Sequence, residues 1–340
     1  MLKLKFIDKI QNTKNLLGFS GGVDSVSLFF ALLKSNICFD IAIVDYQIRD
    51  SSKDEVAYAQ SLAKFYKKKC FVWQSNKIDG DFERKAREIR YAFFENLIKE
   101  YGYEYLLLAH HLNDRLEWFL MQLSKGCGLN TLLGFEGIED RGSYQIIRPL
   151  MNVSKNEIYE YGCSYKFYED ISNQDSIYKR NAFRLSYSND LIEKYGNGIL
   201  KSFEYLRVEK SLLYKKEEIL FWAGIYYFKC DSDITNLYWV DKILKKMGYV
   251  LSAKQREEIL KTNFSLGIGE KYIIQNNQMW IFVCREMINP PILPKRFKNI
   301  TRENKIPKRI RPQIYLYFHD NGIEFKEMQT CLKKKFAEYQ

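Results

Sequence analysis

A short stretch of turn-forming residues, Ser20-Gly21-Gly22-Val23-Asp24-Ser25, stands between the apolar run Leu16-Leu17-Gly18-Phe19 and a second run, Val26-Ser27-Leu28-Phe29-Phe30-Ala31-Leu32-Leu33. The order predicts a strand, a glycine turn and a helix with no residues to spare between them. Two consecutive glycines allow positive φ and a close approach of backbone to a ligand. Ser20 and Ser25 bring hydroxyls, and the new helix presents N–H groups that have no partner within it. Such a turn is suited to cradling phosphate. It is not a Walker loop, because no Gly-Lys-Ser/Thr follows, and not a dinucleotide fingerprint, because the third glycine is absent. The candidate phosphate-holding residues are therefore Ser20, Gly21, Gly22, Val23, Asp24 and Ser25.

The pattern around this turn repeats. Apolar, β-branched segments at 15–19, 39–46, 70–74, 105–109 and 145–148 alternate with helical patterns at 24–34, 54–68, 82–101 and 113–124. This predicts an α/β fold, a parallel twisted sheet flanked by helices with right-handed crossovers. In the third helix Phe82, Ala86, Ile89, Phe93 and Leu97 mark an apolar stripe. Polar residues collect where strands should end: the glycine turn after the first, Asp45 after the second, Gln74 to Asn76 after the third, His110-His111 after the fourth. Ligands of open α/β sheets bind at the carboxyl ends of strands, so these residues should meet in one crevice. There Asp45 is a candidate ligand-binding residue.

Ala109-His110-His111-Leu112-Asn113-Asp114-Arg115-Leu116-Glu117 opens a helix in that crevice, with His111, Asp114 and Glu117 three apart on one face. Carboxylates so placed can hold magnesium or grip an ammonium group, and a simple helix cap is the plainer account. Arg84, Arg87 and Arg90 share a face of the third helix, suited either to phosphates or to solvent. Arg180 and Arg184, four apart, are able to bracket a phosphate after the turn-forming Ser172-Asn173.

From about Ile192 the βα alternation stops. Helices are expected at 206–226 and 238–247, with a short one from Ser252 to Lys261, and a hairpin at 271–275 and 279–284 around Asn276-Asn277. The proline-rich stretch Asn289 to Pro294 reads as a linker. Between Lys295 and Arg311 there are eight basic residues and one acid, so Lys308, Arg309 and Arg311 are candidate nucleic-acid contacts. The expected domains are 1–192, catalytic; 193–288, mainly helical and RNA-binding; and 289–340, a small basic segment.

A balance of 53 Lys+Arg against 42 Asp+Glu, net +11, suits a polyanionic partner without identifying it. Seven cysteines form no C-x-x-C pair and no metal-ligand spacing with the three histidines, so a reducing compartment is expected. No signal-peptide region opens the sequence, and even the longest uncharged stretch, 272–284, is too short to span a bilayer. A cytoplasmic protein without a membrane partner follows.

The hexapeptide resembles the PP-loop of N-type ATP pyrophosphatases, with their adenine nucleotide alpha hydrolase-like fold. Within that superfamily the remaining motifs resemble those of the tRNA(Ile)-lysidine synthetases. Residues 109–117 are similar to Ala-His-His-x-Asp-Asp-x-x-Glu, with Asn113 in place of the first Asp, and Lys125-Gly126-Cys127-Gly128 to Arg-Gly-Ser-Gly. Glu83 to Tyr91 and Asp170 to Arg184 match two further motifs, whereas Asp45 and Gln47 stand where the family has histidines.

The resemblance implies ATP, Mg2+, L-lysine and a tRNA(Ile) with a CAU anticodon, whose wobble cytidine is adenylated and then joined to lysine at C2. It implies Asp24 as a metal ligand, Asp114 and Glu117 as the lysine ammonium site, and Asp24, His111, Asp114, Arg180 and Arg184 as the catalytic set. Other readings are a tRNA 2-thiolation enzyme, which the lack of paired cysteines opposes, and a non-catalytic RNA-binding protein. A homodimer stays open.

Overall fold

A computed structural model describes residues 2–47, 51–169, 182–215 and 217–337. The chain divides into two compact units, Met1–Arg207 and Val208–Gln340.

The first unit begins with a short helix α1 (Ile7–Ile10) and continues as β1 (Asn15–Gly18), α2 (Val23–Lys34), β2 (Phe39–Asp45), α3 (Ser51–Phe65), β3 (Cys70–Gln74), α4 (Phe82–Tyr101), β4 (Tyr105–Leu107), α5 (Leu112–Leu123) and α6 (Leu129–Leu132). Strands β5 (Ile138–Asp140) and β6 (Gln145–Ile147) follow, then α7 (Lys155–Gly162). The sheet runs β3-β2-β1-β4-β6-β5, parallel except for the edge strand β5, which is antiparallel to β6. The expected parallel α/β sheet is thus present, its elements within two residues of the predicted strand ends.

Alternation along β1 divides the core between the two faces of the sheet. Leu17 packs with Val26, Phe29, Phe39, Ala59 and Ile158 under α2, α3 and α7, while Leu16 packs with Phe94, Leu97 and Ile98 of α4 on the other side. Two close approaches set the helices. A Cβ on Gly18 would lie 2.9 Å from Leu108 and 3.1 Å from Phe94, so only glycine lets α4 close over β1. A Cβ on Gly162 would lie 2.7 Å from both Val23 and Ser27, which brings α7 against α2 directly behind the glycine turn. The stripe expected on α4 is rotated: Ala86, Phe94, Leu97 and Ile98 are buried, and Phe82 is exposed at the helix start, edge-on to Tyr46.

A π-helical turn (Arg184–Ser188) leads into α8 (Asn189–Leu213), which ends well before the predicted limit at residue 226. The rest of that stretch is β7 (Leu220–Trp222) and β8 (Ile225–Lys229), after which come α9 (Asp233–Lys246), α10 (Ala253–Lys261), β9 (Leu266–Ile268), β10 (Tyr272–Asn276) and β11 (Trp280–Arg285). Helix exceeds strand across 193–288, as expected, yet the predicted hairpin is the centre of an antiparallel five-stranded sheet, β7-β8-β11-β10-β9. Aromatic residues at 221, 222, 226, 227 and 228 serve strand and helix patterns alike in so short a run, and cross-strand packing decides for strand.

The basic C-terminal stretch is not a separate segment. Helices α11 (Lys295–Glu303), α12 (Arg311–Asp320) and α13 (Phe325–Ala337) bury Phe297, Ile310, Ile314, Phe318, Leu332 and Phe336 against Trp222, Tyr227 and Phe282 of the sheet. The opposite face of that sheet carries α9 and α10 through Trp239, Val240, Leu244 and Ile259.

Candidate active site

The glycine turn after β1 is held from within. The Ser20 N–H donates to Ser25 Oγ at 3.2 Å, and Ser25 Oγ–H donates to the Gly22 carbonyl at 3.0 Å. Gly21 takes φ +77°, a conformation costly for any residue with a Cβ, and its carbonyl accepts from the Tyr168 N–H at 3.0 Å. Gly22 is the N-cap of α2 and has no side chain to cap it, so the first N–H groups of the helix point into the turn with the positive end of the helix dipole behind them.

Asp24, in the first turn of α2, carries the loop into a line of charges. Lys155 Nζ lies 2.6 Å from Asp24 Oδ1, and His111 Nε2 lies 3.7 Å from the same oxygen. His111 Nε2 is also 3.5 Å from Asp114 Oδ2, the oxygen that accepts from the His111 N–H at 3.0 Å and so caps α5. The other Asp114 oxygen is 3.6 Å from Arg184 Nη2. Arg184 in turn forks onto Glu117, Nε to Oε1 at 2.6 Å and Nη2 to Oε2 at 3.2 Å. His111, Asp114 and Glu117 are all buried, and the buried His111 Nδ1 has no hydrogen-bond partner among the described residues. Among the described residues, the carboxylates of Asp24, Asp114 and Glu117 are thus joined to the cations Lys155 and Arg184.

Asn113 shows why an amide serves where a carboxylate was expected. Its Oδ1 accepts from the Lys155 N–H at 3.0 Å and its Nδ2 donates to Asn189 Oδ1 at 3.0 Å. An aspartate there would keep the first bond and lose the donor of the second. Arg148, fully buried, donates to His110 Nδ1 at 3.3 Å, to the Glu136 carbonyl at 2.7 Å and to Glu139 at 2.8 Å, and lies over the Phe135 ring; it fixes the strand end from which His111 projects.

The predicted residues are therefore partly brought together. Ser20 to Ser25, Asp24, His111, Asp114, Glu117 and Arg184 form one site, whereas Arg180 and the motif from Asp170 to Asn181 lie outside the described residues. Asp45 ends β2 as expected, and its Oδ1 accepts from the Gln47 N–H at 2.9 Å, which holds Gln47 at φ +53°.

Arg84 is exposed and engaged along its own helix with Asp81 and Glu88; Arg87 lies over the Tyr91 ring; Arg90 is exposed. In the second unit, Arg309 pairs with Glu286 at 2.5 Å and Arg311 forks onto the Ile306 carbonyl, while Lys308 is exposed. Lys155 was not anticipated. Its signal was the capping box Ser154-x-x-Glu157 after the last parallel strand, which puts a lysine at the first position of a helix facing the crevice.

One carboxylate at the lip of a phosphate-binding turn fits Mg2+, which takes one or two protein carboxylates and otherwise phosphates and water. Asp24, 33% exposed, is that carboxylate. Among the described residues there is no cluster of three or more His, Cys, Asp or Glu fit to cage a metal by protein groups alone. Burial raises the Cys127 thiol above its usual range, against a smaller lowering by Lys125, so Cys127 lacks the environment of a reactive thiolate. No described helix is long and apolar enough to cross a membrane.

Comparison with known proteins gives a consistent picture. Residues 2–191 match the model of the PP-loop domain family. The chain is 47% identical to the tRNA(Ile)-lysidine synthase of Helicobacter pylori over 94% of its length and 96% of that protein's. It is 40% identical to the tRNA(Ile)-lysidine synthase of Wolinella succinogenes, over 93% of this chain and 97% of that one. Among solved structures, the U34-tRNA thiolase NcsA from Methanococcus maripaludis, with its [4Fe-4S] cluster, superposes with a TM-score of 0.50 at 17% identity, covering 62% of this chain and 79% of that one, a likeness of fold alone.

Proposed function

The chain belongs to the tRNA(Ile)-lysidine synthase family of PP-loop proteins, an ATP-using ligase family that forms lysidine on tRNA(Ile), and from this premise we propose how its own residues divide the work. The observation that carries the proposal is the continuous line of charges from the glycine turn through Asp24, His111 and Asp114 to Arg184 and Glu117.

The turn residues Ser20 to Ser25 hold the β- and γ-phosphates of ATP with backbone N–H groups at the start of α2. Asp24 offers a carboxylate oxygen to Mg2+, which when bound offsets charge on the departing pyrophosphate. The wobble cytidine O2, a poor leaving group, attacks the α-phosphate; pyrophosphate leaves, and C2 is activated as an O-adenylate. The lysine ε-amine then attacks C2 and AMP departs.

Lysine must arrive as an ammonium and react as an amine, since its reference pKa is about 10.4. The carboxylates of Asp114 and Glu117 are groups of the kind that hold an ammonium by charge-assisted hydrogen bonds. His111 Nε2, between Asp24 and Asp114, is placed to take its proton. Arg184 keeps Glu117 oriented and lies within reach of charge developing beside Asp114. Asp45 marks the nucleoside end of the crevice, and Arg84, Arg87, Arg90 and Lys308 are exposed cations for the RNA backbone. Thiolation is disfavoured by the environment of Cys127.

The test is transfer of radiolabelled lysine to an unmodified tRNA(Ile) transcript with a CAU anticodon. ATP-dependent incorporation at the wobble cytidine supports the proposal; incorporation without ATP, or none in the presence of all three substrates, opposes it.

A further inference from the structure

The glycine turn lacks the lysine that Walker loops carry, yet an ammonium group reaches the same place from another part of the chain. Lys155 is the first residue of α7, and its position is fixed from three directions. Ser154 and Glu157 cap the helix reciprocally, the Ser154 N–H donating to Glu157 Oε2 at 2.8 Å and the Glu157 N–H to Ser154 Oγ at 3.2 Å. Asn113 Oδ1 accepts from the Lys155 N–H. Gly162 seats the far end of α7 on Val23 and Ser27 of α2, the helix that grows out of the turn.

From this base the side chain crosses to Asp24 Oδ1 at 2.6 Å, its ammonium 5.0 Å from the centre of the Tyr159 ring. The pair is a weak structural device, because both side chains are partly exposed, 23% and 33%, and ion pairs in that setting contribute little to stability.

We propose that Lys155 is the phosphate-holding cation of this site, in space the counterpart of the lysine missing from the loop, and that its pairing with Asp24 is the ATP-free arrangement. When ATP enters with magnesium, Asp24 turns to the metal, and the Lys155 ammonium passes to the β- and γ-phosphate oxygens, a move of one side chain about a fixed helix start. The ion pair thus keeps both groups charged and in place while the turn is empty. The inference rests on the ATP-using reading of the site.

Equilibrium binding of ATP, pyrophosphate and AMP to the full chain separates the two. For Lys155→Met we expect ATP and pyrophosphate to bind on the order of tenfold or more weakly, the value of a hydrogen bond to a charged group, with AMP changed less than about twofold. Lys155→Arg should recover most of the loss. As a second variant, Asp24→Asn releases Lys155, and without magnesium it should bind ATP at least as tightly as the unaltered chain while gaining nothing when magnesium is added. Equal weakening of ATP and AMP in Lys155→Met, or no weakening, overturns the assignment of Lys155 alone. An unaltered chain that fails to bind ATP overturns the functional reading and this inference together.

Discussion

Arg184 grips Glu117 through one guanidinium edge, Nε and Nη2 donating at 2.6 and 3.2 Å, and the carboxylate it holds is fully buried. Arg184 opens the π-helical turn that starts α8, whereas Glu117 lies in the second turn of α5, so the contact ties the two elements together at the site. A π-helical turn shifts side chains out of the ordinary helical register, and such turns are frequent at functional sites. Here it delivers a guanidinium to two carboxylates at once, Glu117 and Asp114.

Removing Arg184 takes a bidentate cation from a buried carboxylate. Arg184→Ala should lower unfolding stability by roughly 3 kcal/mol, the scale for breaking a buried pair. Urea denaturation measures it, and the double variant Arg184→Met/Glu117→Leu should regain a large part of the loss. A single variant as stable as the unaltered protein would show that the pair carries no structural weight.

Asp24→Ala removes a partly exposed side chain and should unfold no more readily than the parent, within about 1 kcal/mol. Pyrophosphate release in the presence of ATP and tRNA should nevertheless fall by at least a hundredfold, on the order of the effect of losing a transition-state charge partner. Retained release in a folded variant would remove Asp24 from the phosphate site.

Asp114→Asn keeps an acceptor for the His111 N–H, so the α5 cap survives, and removes the charge alone. We expect adenylated tRNA to accumulate while lysine incorporation falls, with the apparent KM for lysine raised by tenfold or more. A normal lysine dependence would take Asp114 out of the ammonium site.

Cys127→Ser should leave lysine transfer within about twofold of the parent, because the raised thiol is not poised as a nucleophile. Alkylation of Cys127 should be slow at pH 7 and faster as pH rises, since thiolate accumulates only toward the raised pKa. Loss of activity in the serine variant would point to a catalytic thiol.

Much of this site was legible in the sequence because its parts sit at strand ends in a repeating βα pattern, where topology alone forces convergence. Asp24, His111, Asp114 and Glu117 could be grouped on those grounds. Their partners could not. Lys155 reaches Asp24 across 131 positions of sequence and Arg184 reaches Glu117 across 67, and no local spacing encodes either contact. Asn113 reads in the sequence as a lost carboxylate, whereas its side-chain amide makes two hydrogen bonds, one to the start of α7 and one to Asn189.

In the second unit the obstacle was different. The run from Leu220 to Phe228 is apolar and aromatic throughout, so it carries no period by which to separate strand from helix. The basic residues of the last helices concealed an apolar face, Phe297, Ile310, Ile314 and Phe318, that belongs to the core.

The central claim, that one crevice first adenylates the tRNA and then hands it to lysine, is tested most directly with ATP labelled at the α-phosphate and lysine withheld. The account predicts that label becomes attached to the unmodified tRNA(Ile) transcript and is discharged as AMP when lysine is added. Lysine incorporation without any labelled tRNA ever forming would contradict it.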